Sequence, residues 1–159
     1  MMVMYDVAII GAGINGTCMA YELHKQGKKV VIFDMQGIAS GGSGAAGAFI
    51  SPKFSKAGEL KEMIDKAFVY SMDFYEANFP HLFTRTTLIH TEQDDSQTFT
   101  IKSGIVDAVS MCHALAQDIK FVQTQVETLV YEKNYWTIND KYTTIDVVLA
   151  TGAYKPVVE

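Results

Sequence analysis

The sequence predicts an α/β fold built on a buried parallel sheet. Three observations carry this reading. Two short apolar runs, Val7-Ala8-Ile9-Ile10 and Val30-Val31-Ile32-Phe33, flank a segment with helical periodicity. Glycines punctuate both ends of that segment. A third apolar strand, Ile145–Ala150, again runs into a glycine turn at Thr151-Gly152. The chain has 159 residues, 48% of them hydrophobic and 19% charged, enough apolar material for the core of one domain.

The elements follow in order. Val7–Ile10 is a strand buried on both faces, closed by Gly11. Ile14, Cys18, Met19 and Leu23 recur at helical offsets, and Gly27 is placed to end that helix near Gln26. Val30–Phe33 forms the second strand and ends at Asp34, so the first 34 residues read β-α-β. A loop of small residues occupies roughly 37–57. Leu60, Met63, Ile64, Ala67, Phe68, Ser71, Phe74 and Tyr75 mark one face of a long helix closed by Pro80, with Leu60, Ile64, Phe68 and Tyr75 expected in a core. Residues 82–101 suit one or two short strands around an acidic turn, Glu92–Asp95. Asp107–Gln117 is helical, with Val109, Cys112 and Ala116 on one side. Strands are expected at Lys120–Gln125, Thr128–Lys133, Tyr135–Asn139 and Thr144–Ala150, with asparagine turns between them.

Composition excludes several classes. The net charge is −5, with no Lys/Arg cluster along the sequence, so direct nucleic-acid binding is not expected. Cys18 and Cys112 form no CxxC, and His24, His81, His90 and His113 show no ligand spacing, so neither a disulfide framework nor a metal site is expected. No apolar run approaches the roughly 20 residues that span a bilayer. These features predict a soluble, cytoplasmic protein.

Gly11-Ala12-Gly13-Ile14-Asn15-Gly16 is a G-x-G-x-x-G motif between a buried strand and an amphipathic helix. Gly11 permits the tight turn, Gly13 lets the backbone approach a pyrophosphate, and Gly16 lets the helix pack against the strand. Unpaired N–H groups and the helix dipole favour phosphates there. Asp34, 18 residues after Gly16, can accept hydrogen bonds from ribose hydroxyls and would repel a 2′-phosphate. A glycine turn in an ordinary α/β protein would not need this carboxylate. The motif alone leaves NAD and FAD open. The stretch Ser40–Ala48 lets the backbone lie against a ligand, with Ser43 as a donor to phosphate, and Ala150-Thr151-Gly152 ends at the same sheet edge as Gly11.

With these features the sequence resembles the FAD-dependent D-amino-acid oxidase superfamily, which includes glycine and sarcosine oxidases. The resemblance rests on Asp6–Asp34, Ala39–Pro52, Ser103–Asp107 with the helix after it, and Val148–Gly152. It is similar too to the oxidase half of bifunctional proteins that modify tRNA wobble uridines, especially at Gly44–Ser51 and Phe74-Tyr75. The resemblance implies a Rossmann-like FAD-binding domain of the three-layer GR2 type with a small, reduced β-rich cap. It implies FAD as cofactor and an amine or amino acid as substrate. Gly11, Gly13, Ile14, Asn15 and Gly16 would hold the pyrophosphate. Asp34 would bind the adenosine ribose with Met35 beside the adenine. Gly41, Gly42 and Ser43 would contact the diphosphate, and Ala46, Gly47 and Ala48 would approach the flavin. Val126 matches a position whose backbone contacts adenine, and Ala150, Thr151 and Gly152 would close the site.

Relative to the family the chain is short, both after Gly152 and between Leu88 and Gly104. The expected arrangement is 1–80 and 104–159 as two parts of the FAD-binding domain, with 81–103 a remnant of the substrate domain. Complete catalysis by this chain alone is not expected, and no catalytic acid or base is assigned. An NAD-dependent dehydrogenase domain, a non-catalytic FAD-binding fragment and a stand-alone tRNA-modifying oxidase are the alternatives. Arg85 is better read as a surface residue than as a carboxylate clamp, and Lys53 is a candidate positive charge near the flavin. Apolar surface left uncovered by the short cap predicts a homodimer.

Overall fold

The computed structural model describes residues 4–52, 58–91, 98–153 and 157–158. The chain forms two compact units, Met1–Ala46 with Ala108–Glu159, and Gly47–Asp107.

The first unit starts with β1 (Met4–Ile10), α1 (Ile14–Lys25) and β2 (Val30–Asp34), the β-α-β expected from the sequence. Gly27 ends α1 as predicted: with φ +80° it lets its own N–H reach His24 O and the Lys28 N–H reach Leu23 O. A one-turn helix α2 (Gly42–Ala45) lies within the small-residue stretch. In the second unit, β3 (Phe49–Ile50) and α3 (Glu59–Asn78) precede a hairpin of β4 (Phe83–Thr91) and β5 (Thr98–Val106). The chain then returns to the first unit with α4 (Ala108–Leu115) and β6 (Lys120–Gln123). The strands β7 (Thr128–Glu132), β8 (Tyr135–Ile138), β9 (Tyr142–Leu149) and β10 (Val157–Val158) complete it.

The seven-stranded sheet has the order β10-β7-β8-β9-β1-β2-β6. Its parallel part, β9-β1-β2-β6, carries the site, and β7, β8 and β9 form an antiparallel meander. Val31, Ile32 and Phe33 are fully buried because both faces of β2 are covered. Ile9, Ile32 and Val30 face Ala20, Ala116 and Ile119 from the helical layer. Ala8, Val31 and Phe33 face Leu129 and Ile138 of the meander, and the Tyr142 ring meets Phe33 edge-on at 4.9 Å. This is the three-layer arrangement: helices, parallel sheet, meander. Burying each large apolar side chain contributes about 1.5–3 kcal/mol, so β2 is a stiff support for whatever sits at its carboxyl end.

The second unit is an antiparallel sheet in the order β3-β5-β4, together with α3. The hairpin strands are longer than the expected short strands, pairing from Phe83↔Val106 to Thr91↔Thr98. Gly104 is required there because a Cβ would run into the Phe83 ring and lie 3.0 Å from Met72 Sδ. The expected core stripe of α3 is corrected at one end: Leu60 is 64% exposed, whereas Met72, Phe79 and Phe83 are buried. The aromatic chain Phe74–Phe79 and Tyr75–Phe83 draws burial toward the C-terminal end of α3, leaving its first turn outside. The acidic turn Glu92–Asp95 and Lys53 lie outside the described residues.

Candidate dinucleotide site in the first unit

The carboxyl ends of β1, β2 and β9 meet at Gly11. The Gly11 N–H donates to Phe33 O at 2.7 Å, and the Ala150 N–H donates to Ile10 O at 2.8 Å, so Ala150 continues the β1–β9 ladder into the turn. Gly11 has φ +109°, and a Cβ there would strike the Ala150 carbonyl; no other residue fits. At Gly16 a Cβ would strike Gly11 O and lie 3.3 Å from Ile9 Cγ2, so this glycine sets how closely α1 packs on β1. The motif spacing therefore has a steric cause in both glycines.

Helix α1 begins at Gly13 without a side-chain cap of its own. Its first acceptor-less N–H groups belong to Ile14, Asn15 and Gly16. Ser43 Oγ, from α2, accepts from the Ile14 N–H at 2.9 Å. A Cβ on Gly13 would come 3.0 Å from that oxygen, so the glycine makes room for Ser43. The hydroxyl proton of Ser43 stays available for a further acceptor, and Asn15 and Gly16 lack intrahelical acceptors. Gly41, Gly42 and Gly152 have no heavy atom within 4 Å of where a Cβ would stand, so their backbones face open space.

Asp34 ends β2 and is partly buried. Its Oδ2 accepts from the Ala12 N–H at 2.9 Å. Its Oδ1 accepts from the N–H groups of Gln36 at 2.9 Å and Gly37 at 3.1 Å, and from Ser40 Oγ at 3.4 Å. Oδ2 thus keeps acceptor capacity for a further donor. The carboxylate has two tasks, tying the β2 loop to the glycine turn and offering an acceptor. Met35 beside it is exposed. The Thr124 N–H donates to Asp34 O at 2.9 Å, which brings the 124–127 loop, including half-buried Val126, alongside the end of β2.

The first unit thus brings together Gly11, Gly13, Ile14, Asn15, Gly16, Asp34, Ser43, Val126 and Ala150, with Met35, Gly41, Gly42, Ala46, Thr151 and Gly152 on the same loops. Gly47 and Ala48 belong to the second unit, where Ala48 O accepts from the Val106 N–H at 3.0 Å. Sequence reasoning missed Ala12, Ser40 and Thr17. Ala12 is fully buried, its N–H anchors Asp34 and its carbonyl accepts from the Ala39 N–H. The Thr17 hydroxyl donates to Gly13 O at 3.0 Å. Thr17 follows the motif directly and Ser40 opens the glycine stretch, the only signals that mark them. Arg85 is exposed and bidentate to Glu76, with a further contact to Asp73, so its guanidinium is engaged by its own chain. Among the described residues no group of three or more His, Cys, Asp or Glu could hold a metal ion. No helix among them is long and apolar enough to cross a membrane.

The donor set fits a dinucleotide diphosphate: helix N–H groups, a serine hydroxyl, open glycine backbone and one carboxylate at the strand end. The comparisons agree with this chemistry. The chain is 33% identical over 120 residues to the tRNA 5-methylaminomethyl-2-thiouridine biosynthesis bifunctional protein of Leptospira interrogans, covering 72% of this chain and 17% of that protein. Its fold is similar to glycine oxidase of Bacillus cereus, with a TM-score of 0.69 at 20% identity, covering 92% of this chain and 55% of the other. Glycine oxidase of Geobacillus kaustophilus is similar at a TM-score of 0.73 and 18% identity, with the same coverage. The chain thus spans about half the length of these oxidases and a smaller part of the curated relative. The model of the FAD dependent oxidoreductase family matches residues 6–102, which separates FAD from the NAD that the glycine motif alone left open. The chain belongs to this family of FAD-dependent oxidoreductases (DAO), whose cofactor is FAD.

Proposed function

We propose that this chain is the FAD-binding part of an oxidoreductase that oxidises an amine or amino acid. The carrying observation is the α1 N-terminus, where Ser43 caps Ile14 and Asp34 ties the glycine turn to β2. FAD, when bound, supplies the chemistry by accepting a hydride from the carbon next to nitrogen, and water then hydrolyses the resulting imine. The chain's own residues bind and orient. The N–H groups of Asn15 and Gly16 and the Ser43 hydroxyl hold the diphosphate, Asp34 Oδ2 takes a ribose hydroxyl, and Met35 and the Val126 backbone flank the adenine. Ala46 gives the flavin side a backbone without a bulky side chain, and Ala150, Thr151 and Gly152 close the edge.

Residues 81–103, which hold most of the β4–β5 hairpin, take the place of a substrate domain between FAD-binding segments 1–80 and 104–159. Exposed Ile105 of β5 and Phe49 of β3, which pair side by side on one face of the second sheet, supply an apolar surface through which two copies would associate. Cys18 and Cys112 form no disulfide, which accords with a reducing, cytoplasmic setting.

A specific observation favours one substrate class. The relative from Leptospira is named for tRNA 5-methylaminomethyl-2-thiouridine biosynthesis, so a secondary amine carried on a tRNA base is the favoured substrate over free glycine. The test is anaerobic mixing of the FAD-loaded chain with glycine, with sarcosine and with tRNA carrying the amine. Bleaching of the flavin by tRNA supports the reading. Bleaching by none of them assigns the chain to FAD binding without turnover.

A further inference from the structure

At the opposite end of the parallel sheet from Gly11 lies a cavity of about 390 Å³ lined by Tyr5, His24, Lys28, Lys29, Asp118 and Lys120. Strand pairing assembles it from distant sequence. The Asp6 and Val7 N–H groups both donate to Lys29 O, and Val31 pairs with Lys120, so the first residue of β6 stands beside the entry to β2. Lys28, Lys29 and Lys120 are all exposed, and none has a carboxylate oxygen within 4.0 Å among the described residues. Asp118 lines the same cavity without pairing to them. Asp6 Oδ2 is engaged by the Lys29 N–H at 2.7 Å. The carbonyls ending α1 are already taken by Gln26, Gly27 and Lys28, so they do not neutralise the lysines. Tyr5 gives the cavity an aromatic wall, with Lys29 Nζ 5.2 Å from its ring centroid. Against the carboxylates of Asp118 and Asp6, the three ammonium groups still leave this concavity net positive in a chain of net charge −5.

We infer that this groove binds the phosphodiester backbone of RNA, holding a substrate nucleic acid at the amino end of the sheet. The inference rests on the tRNA reading above, which supplies RNA rather than another polyanion as occupant. Compact ammonium charges suit phosphates, and an aromatic wall beside them suits a single-stranded segment. The groove is remote from the dinucleotide turn: the strand from Lys29 to Asp34 spans about 17 Å, so FAD and RNA would not compete.

The test is the binding of a labelled short single-stranded RNA to the full chain, by fluorescence anisotropy across a salt series. Three lysine–phosphate contacts predict a log–log salt slope of about −2, or roughly 16-fold weaker binding from 50 to 200 mM salt. The triple variant Lys28→Gln/Lys29→Gln/Lys120→Gln should flatten the slope and bind at least about tenfold more weakly at low salt, with FAD affinity unchanged. Should the triple variant fail to fold, Lys120→Gln alone should lower the slope by about 0.7. No salt-dependent binding by the parent chain, unchanged binding by a folded variant, or equal affinity for polyglutamate of the same charge would overturn the inference. Lysine-dependent RNA binding without flavin bleaching by tRNA would leave the groove standing and remove the tRNA oxidase reading. Bleaching by tRNA with lysine-independent binding would do the reverse.

Discussion

Ser43 Oγ accepts the Ile14 N–H at 2.9 Å, across 29 positions of sequence, and so caps α1 from another element. This contact links the small-residue stretch to the glycine turn. Ser43→Ala should destabilise the chain by about 0.5–2 kcal/mol, the usual value of a lost N-cap. In a chain of this size that lowers the thermal midpoint by about 2–4 °C per kcal/mol, and FAD affinity should fall with it. Differential scanning calorimetry with and without FAD checks both; an unchanged midpoint would mean the cap is not part of the native state.

The glycines divide into two sets with opposite expectations. Gly16→Ala drives a Cβ into Gly11 O and should impair folding itself, seen as loss of cooperative unfolding by circular dichroism. Gly41→Ala and Gly42→Ala meet no heavy atom within 4 Å and should fold normally. Any loss of FAD binding in those two then reports contact with the ligand. A destabilised Gly42→Ala would contradict the open backbone described above.

Asp34→Ala removes the acceptor for Ala12, Gln36, Gly37 and Ser40 together with the ribose contact. FAD binding should weaken by about 1–3 kcal/mol, and the chain should lose stability without ligand as well. Asp34→Asn keeps an acceptor oxygen and should lie between the two. Titration calorimetry of FAD into each variant checks the order, and equal affinities would remove Asp34 from the site.

Much of the first unit was legible because its signals are local. Val7–Ile10, Gly11–Gly16, Gly27 and Val30–Asp34 each announce their role within a few residues. The Ser43 cap was not legible as such, because nothing near Ser43 points to Ile14. The lysine groove was invisible for the same reason: Lys28 and Lys29 reach Lys120 only through the β2–β6 pairing. Leu60 misled because periodicity marks a helix face along its full length, whereas the Phe74–Phe79 and Tyr75–Phe83 contacts use only the later turns.

The pair of Arg85 with Glu76 predicts a pH dependence. The Arg85 guanidinium, through its hydrogen bonds and then its charge, holds the Glu76 carboxyl below its ordinary range. A depressed carboxylate contributes stability above its unfolded value, and that contribution is lost as pH falls through the lower folded value. Glu76→Gln should therefore unfold more easily than the parent at neutral pH, with the difference closing in acid. Thermal midpoints along an acid series measure this; a gap that widens on acidification would reverse the assignment.

Burial pushes the Cys112 thiol up, and its hydrogen bond with Thr17 opposes this only in part. Cys112 should resist alkylation at neutral pH in the folded chain and react once the chain unfolds. Mass spectrometry of iodoacetamide-treated protein distinguishes the two, and rapid labelling of folded protein would place Cys112 outside the core.

On this reading the α1 turn holds FAD. The most direct measurement is the visible spectrum and flavin fluorescence of the purified chain titrated with FAD, with NADH as competitor. The expected result is a saturable shift and quenching by FAD that NADH does not reverse at equal concentration, and that Ser43→Ala and Asp34→Ala weaken. A spectrum that stays that of free FAD throughout the titration would contradict it.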